Sequence, residues 1–267
     1  MRPPFASSQL PRSSDKQIII NAVKFHGEEV KMLLYIIRHG DPIYTTDSLT
    51  ERGKLQAEAV GKRMFDSKIN KIFTSPYGRA RQTAEPACRL LGLDYTVEEW
   101  AHEIEDERKT HYTFGETPRS ITALPPTRFR ENGGINVSFE DAFTVPGLSD
   151  TKMKEVTAYI TDNGREFLER LGYKEEKDGI YRIINPNDDR VALFCHSCMA
   201  RAWLSSLLHI PLHMMWANHP YTHTGVTILA FNNYQEGITA PRCLCYNDMS
   251  HLYAAGLDMV YDNGVEV

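Results

Sequence analysis

The chain has 267 residues, 42% of them hydrophobic and 24% charged, the balance of a globular protein with material for one sizeable core. Its net charge of −5 excludes a broad basic face, so neither nucleic acid nor membrane is an expected partner, and affinity for an anion has to come from a local cluster. No run approaches the roughly 18 apolar residues that span a bilayer, and no secretory leader is legible in Met1–Asp15, so the expected location is cytoplasmic, with the five cysteines reduced.

Residues 1–31 read as a dispensable extension, because Arg2-Pro3-Pro4 and Ser13-Ser14-Asp15 have the composition of a tail. The competing reading is an added edge strand through Ile18-Ile19-Ile20 and Val23. Residues 32–267 form one expected domain with an insertion at about 107–150. Leu33–Ile37 has the apolar run of a strand buried on both faces, and it stops at the polar Arg38-His39-Gly40. Thr50 caps a predicted helix from Glu51 to about Asp66, with Leu55, Ala59 and Val60 on one face and Glu58 paired to Lys62. Lys71–Thr74 is a second predicted strand. Ser75-Pro76 then reads as a helix start that puts Arg79 in the first turn, with Pro86 kinking or splitting that helix before Leu91-Gly92.

From Glu107 to Asp150 periodicity gives way to scattered Pro and Gly, which predicts an irregular insertion and the seat of substrate specificity. Met153, Val156, Ile160, Phe167, Leu168 and Leu171 recur at helical spacing, with Gly164 weakening that helix by about 1 kcal/mol relative to Ala. Val191–Cys195 is another buried-strand pattern, followed by His196 and a helix bearing Met199, Trp203, Leu204, Leu207 and Leu208. Gly225–Phe231 and Arg242–Tyr246 are the last predicted strands. This alternation predicts an α/β fold, a three-layer, mostly parallel sheet with helices on both faces. Such sheets bind ligands beyond the carboxyl ends of their strands, and three of those ends deliver Arg38-His39, Arg79 and His196. A neutral imidazole at an exposed strand end offers a nucleophilic lone pair, and a neighbouring guanidinium grips phosphate oxygens as a fork.

Four segments resemble the histidine phosphatase superfamily, whose members include cofactor-dependent phosphoglycerate mutases. They are Leu34-Tyr35-Ile36-Ile37-Arg38-His39-Gly40, Leu49-Thr50-Glu51-Arg52-Gly53 with Gln56-Ala57, Thr74 to Ala84, and Ala192-Leu193-Phe194-Cys195-His196. The third matches the family's S-P-x-x-R-A-x-Q-T-A pattern throughout. The resemblance implies a phosphoglycerate mutase-like fold, phosphoryl transfer through His39, phosphate clamps at Arg38 and Arg79, and His196 as the fourth pocket member. It implies a proton donor at Glu103, where Ala101-His102-Glu103 fits the family's L-x-E, with Glu105 and Asp106 as competitors. Thr45 stands where the family often has a phosphate-binding Asn. No cofactor and no metal are implied, and the expected partner is a small phosphorylated substrate.

Two departures bear on the reaction. The second histidine is followed by Ser197 rather than Gly, and eight residues, Asp41 to Ser48, replace the long connection typical of the mutases. The short connection favours hydrolysis of a phosphate monoester; the alternatives are mutase-type transfer and a catalytically silent phosphate-binding regulator. A separate reading joins Cys195-x-x-Cys198 and Cys243-x-Cys245 in a four-thiolate zinc or redox site, against which ordinary buried thiols are the simpler use. His209, His213, His219 and His223 are spaced for helix capping and loop hydrogen bonds rather than for a metal.

Overall fold

The apolar run that ends at Arg38 becomes strand β1 (Lys31–Arg38), an inner strand of a six-stranded sheet. The computed structural model describes residues 31–104, 111–114, 117–120, 126–149, 151–233, 236–261 and 265–266. The expected extension lies outside them apart from Lys31, as do parts of the expected insertion. The other strands of the sheet are β2 (Lys71–Thr74), β3 (Tyr95–Val97), β4 (Arg190–Cys195), β5 (Val226–Asn232) and β6 (Arg242–Asp248), in the order β6-β5-β1-β4-β2-β3. β1, β4, β2 and β3 are mutually parallel, and β5 runs antiparallel between β1 and β6.

Helices α1 (Glu51–Asp66), α2 (Gly78–Leu91), α3 (Met153–Arg170), α4 (Ser197–Leu207), α5 (Leu212–Asn218) and α6 (Ser250–Ala254) complete the main elements. Side chains alternate along a strand, so β1 feeds two cores. Leu34 and Ile36 pack with Leu193, Leu229, Phe167 of α3 and Trp203 of α4, whereas Tyr35 and Ile37 pack with Phe194, Val60 and Met64 of α1 and Ala84 of α2. A sheet buried on both faces is what makes its strands read as continuous apolar runs.

α1 follows its prediction at both ends, with the Thr50 hydroxyl accepting from the Gly53 amide at 2.9 Å. Its buried face differs. Leu55 is 56% exposed, and Gly53, Gln56, Ala57, Val60, Gly61 and Met64 face inward. Close approach sets that face: a Cβ on Gly53 would lie 2.2 Å from the Asp41 carbonyl oxygen. Glu58 pairs with Arg89 of α2 at 2.7 Å in place of the expected Lys62. α2 starts two residues later than Ser75-Pro76 predicts, with the Ser75 hydroxyl shared between His196 Nε2 and the Tyr77 amide, from which it accepts at 3.2 Å. It also runs unbroken through Pro86, which packs against Gly61 of α1.

The insertion is less irregular than its composition predicts. His111–Phe114 pairs with Thr117–Ser120 as a hairpin, and Phe129, Ala142, Val145 and Leu148 are buried in the core that α3 and α4 share. Gly164, expected as a weak point, is where α3 meets Trp203 of α4. A small sheet of Tyr173–Lys177, Ile180–Ile183 and Ile238–Thr239 was not legible, since its residues are largely charged or exposed. Among the described residues no helix is long and apolar enough to cross a membrane.

Candidate active site

The ladder between β1 and β4 pairs Arg38 with Cys195, so His39 and His196 emerge side by side just past the two strand ends. The His39 amide donates to the Cys195 carbonyl at 2.9 Å, and the Thr224 amide donates to the carbonyls of Arg38 and His39 at 3.1 and 3.2 Å. The nucleophile expected to stand exposed is instead 1% exposed, because His196 and His223 close around its ring with centroids 5.1 and 5.6 Å away.

His39 Nδ1 lies 2.7 Å from the Gly40 carbonyl. A carbonyl can only accept, so Nδ1 carries the proton and Nε2 keeps its lone pair. Arg79, from the first turn of α2, directs its Nε–H at that lone pair over 3.4 Å. Asp47 holds Arg79 in place: its Oδ1 takes the guanidinium at 2.6 Å and its Oδ2 accepts from the Gly78 amide at 2.6 Å. The guanidinium also lies over the Tyr77 ring at 4.7 Å and the Tyr44 ring at 5.5 Å. Thr83 ties the two sides together, accepting from the Gly40 amide and donating to the Arg79 carbonyl.

Arg38 donates to the Tyr221 carbonyl at 2.5 Å and is buried, which pulls its pKa below the ordinary arginine value despite the opposing influence of Tyr44 and Glu103. His196 Nε2 sits 2.7 Å from the Ser75 hydroxyl. Burial first, and then neighbouring His196, Arg38 and His223, push His39 well below the usual imidazole value. Burial, Arg79, Arg38 and His102 do the same to His196. Both imidazoles are therefore neutral, the state in which a histidine can attack phosphorus.

Arg38 Nε, His196 Nδ1 and His223 Nε2 are buried and have no hydrogen-bond partner among the described residues. Leaving one such group unpaired costs about 1–3 kcal/mol. Arg38 Nε and His196 Nδ1 are groups that can donate, and an oxyanion bound beside His39 would satisfy them.

Glu103 reaches the cluster from the turn after β3. Its Oε1 accepts from the amides of Ile104 and Met199 at 3.0 Å each, and its Oε2 from the amide of Cys198 at 3.2 Å, so it covers the first turn of α4 beside His196. Glu105 and Asp106 lie outside the described residues. Thr45 is exposed on the turn Tyr44–Thr46, and the side chains that reach Arg79 from there are Tyr44 and Asp47.

Sequence reasoning missed Asp47, Thr83, Tyr77 and the site role of Ser75. Ser75 was visible within the S-P-x-x-R pattern but read as a cap, whereas nothing in its flanks singles out Asp47. The four late histidines disperse. His209 stacks on Phe139, His213 Nε2 bonds the Gly134 carbonyl at 2.7 Å, His219 packs on Tyr246, and His223 alone of the four joins the site. The four-thiolate reading fails on topology: Cys195 ends β4 and Cys243 and Cys245 lie on β6, with β1 and β5 between them, about 14 Å at the usual strand spacing.

Comparison with known proteins agrees with this geometry. The sequence profile of the histidine phosphatase superfamily (branch 1) matches residues 34–134. "Probable phosphoglycerate mutase GpmB" of Photorhabdus laumondii is 34% identical over 80 residues, which is 27% of this chain and 37% of that protein. The same-named protein of Erwinia tasmaniensis is 30% identical over 80 residues, again 37% of its length. The chain thus spans little more than a third of the curated relatives it matches. Among solved structures, phosphoserine phosphatase of Entamoeba histolytica, in complex with 3-phosphoglyceric acid, aligns over 83% of this chain and 99% of its own with a TM-score of 0.53 at 20% identity. Mycobacterial glucosyl-3-phosphoglycerate phosphatase aligns over 82% of this chain and 100% of its own with a TM-score of 0.53 at 19% identity. At that identity the structural likeness speaks for the fold. The profile covers the first three motif segments, and the ladder between β1 and β4 carries His196 to the end of the strand beside β1, so residues 34–134 are similar to the histidine phosphatase superfamily and the fold is one that these phosphatases share.

Proposed function

We propose that this protein is a cytoplasmic phosphatase that hydrolyses a small phosphate monoester through a phosphohistidine on His39, without a metal. The observation that carries the reading is the Nδ1–H···O bond to Gly40, which leaves Nε2 as a free lone pair facing Arg79. In the first step His39 Nε2 bonds to phosphorus while the bond from phosphorus to the ester oxygen breaks. Arg79 moves its donors from Nε2 to the phosphoryl oxygens, joined by Arg38 and His196. Donors aimed at developing charge in a water-poor site contribute roughly 10²–10³-fold each, so the arginines supply the electrostatic work that a metal does elsewhere. Glu103 gives its proton to the departing alkoxide. Water then displaces His39, and inorganic phosphate leaves.

The relatives' names favour a second reading, transfer between substrate oxygens as in a mutase. Hydrolysis is favoured by the connection from Asp41 to Ser48, which closes directly into a hairpin of Pro42–Ile43 with Ser48–Leu49. Turnover of a generic aryl phosphate, quenched in alkali, is expected to trap acid-labile, base-stable phosphate on His39. His39→Ala should remove the trap and lower turnover by roughly 10⁴-fold or more, while the loss of one buried hydrogen bond costs the fold about 1 kcal/mol. Substantial turnover by purified His39→Ala would overturn the reading.

A further inference from the structure

The reaction above leaves His223 without a task. This residue sits in the turn before β5, where the Gly225 amide bonds the Thr222 carbonyl at 2.9 Å and the Thr224 amide bonds the carbonyls of Arg38 and His39. Its backbone is therefore fixed against that of the nucleophile. The two rings are 5.6 Å apart between centroids. His223 Nδ1 is 3.6 Å from Asp41 Oδ1, and Nε2 is buried with no partner among the described residues. Asp41 is itself anchored, its Oδ2 accepting from the Thr50 hydroxyl at 2.7 Å and its amide donating to Gln56 at 2.8 Å. A carboxylate accepts and does not donate, so Asp41 favours the tautomer with the proton on Nδ1 and leaves a lone pair on Nε2. That is a base oriented by an acid residue.

Building on the phosphohistidine reading, we propose that His223 is a further catalytic residue: the base that activates the water which hydrolyses the phosphoenzyme. The water oxygen bonds to phosphorus as the bond from phosphorus to His39 Nε2 breaks, and that electron pair returns to His39. The water proton passes to His223 Nε2, and Asp41 steadies the imidazolium until the proton is lost to solvent and phosphate departs. At this separation the His223 ring is within reach of a phosphoryl group on His39, directly or through one water. Burial, Arg38 and Arg52 bring the His223 pKa down to about 2 and keep the ring neutral and weakly basic in the resting protein; the negative charge of a phosphoryl group on His39 opposes Arg38 and raises the basicity of Nε2 for this step. Glu103 is less free for this step, because both its oxygens already accept backbone amides.

The test is pre-steady-state turnover of p-nitrophenyl phosphate by wild type, His223→Asn and His223→Gln. An activated aryl ester phosphorylates His39 without help from the base. The variants are therefore expected to release about one equivalent of nitrophenolate at the wild-type rate, then turn over at least roughly 100-fold more slowly with phosphoenzyme accumulating. The intact first turnover also reports that the site is folded. Added imidazole should speed the slow phase of His223→Gly and leave its first turnover unchanged. Turnover close to wild type would overturn the proposal, as would a first turnover slowed as much as the steady state. Absence of trapped phosphate in the wild type sinks the phosphohistidine reading itself, whereas phosphate trapped on His39 in wild type and no more of it in the variants sinks only the role of His223.

Discussion

Two walls meet at His39, and they are held by different means. Arg38, His39 and His196 leave the ends of the adjacent parallel strands β1 and β4, so the ladder of the sheet decides where these side chains begin. Glu103 and His102 come from the turn after β3, and the Glu103 carboxylate is fixed by amides of α4 rather than by its own strand. The first wall is placed by topology and the second by where one helix happens to start. The backbone positions of Arg38, His39 and His196 are consequently set by the sheet, while Arg79 depends on Asp47 and Glu103 on amide bonds that one substitution can change.

Glu103→Gln should separate the walls by the largest margin. It removes the proton donor but keeps an amide oxygen for the α4 backbone, so esters with poor leaving groups should slow by roughly 10²–10³-fold while activated aryl esters change little. The ratio of kcat/KM for an alkyl and an aryl phosphate is the measurement. An equal loss on both would make Glu103 a positioning residue for α4 and His196.

Acid should act on the other wall. His39 and His196 are held well below the usual imidazole value, His223 is brought down to about 2 and His251 to about 4, burial being the first cause in each case. On unfolding each returns toward about 6.5. Between the folded and unfolded values the unfolded chain binds more protons, so the stability these groups allow is complete above about pH 6.5 and is lost as pH falls below it. Asp248 belongs to a lower window: burial opposes it, yet bonds from Ser250 and Arg63 hold it below the usual carboxylate value, so its contribution is lost only below about pH 4. Tm is expected to be level from pH 8 to 7 and to fall from 6.5 to 5. Amide exchange at the ends of β1 and β4 should rise before that in the first turn of α4. A Tm independent of pH across this range would show that the imidazoles are not held neutral.

The strand-end wall was the legible one. A buried strand announces itself as an unbroken apolar run, so its polar terminus marks the site, and Arg38, His39 and His196 follow from that contrast. Thr50 was legible because capping is local. What sequence reading lost were features set by close contact. The inward face of α1 was misassigned to Leu55 because Gly53, Ala57 and Gly61 carry little hydrophobicity, although their small size lets the helix approach Asp41 and α2. Ser75 has the residue type of a cap and spends its hydroxyl on His196, 121 positions away. His223 was grouped with three histidines that share only its neighbourhood in the chain, and no local signal distinguishes it from them.

Gly164 inverts a propensity argument in the same way and gives the smallest of these expected effects. In an exposed helix, replacing Gly by Ala stabilises by about 1 kcal/mol. Here a Cβ at 164 would stand 2.2 Å from Trp203 Nε1 and 2.8 Å from Cε2, inside contact distance of a ring that is itself 1% exposed. Trp203 has little room to yield, since Trp100 and Phe167 pack on it with centroids 5.1 and 6.0 Å away. Overpacking should therefore outweigh the gain in helix propensity, and Gly164→Ala is expected to lose about 1–3 kcal/mol, read as a lower urea midpoint at unchanged m-value. Trp203 belongs to α4, the helix that His196 precedes and Glu103 covers. Any shift of α4 that relieves the clash moves the second wall against the first, so kcat on an alkyl phosphate should fall more than kcat on an aryl phosphate. A variant more stable than wild type, or destabilised with that ratio unchanged, would show that α4 relaxes without carrying Glu103 along, and the dependence of the second wall on the start of this helix would have to be abandoned.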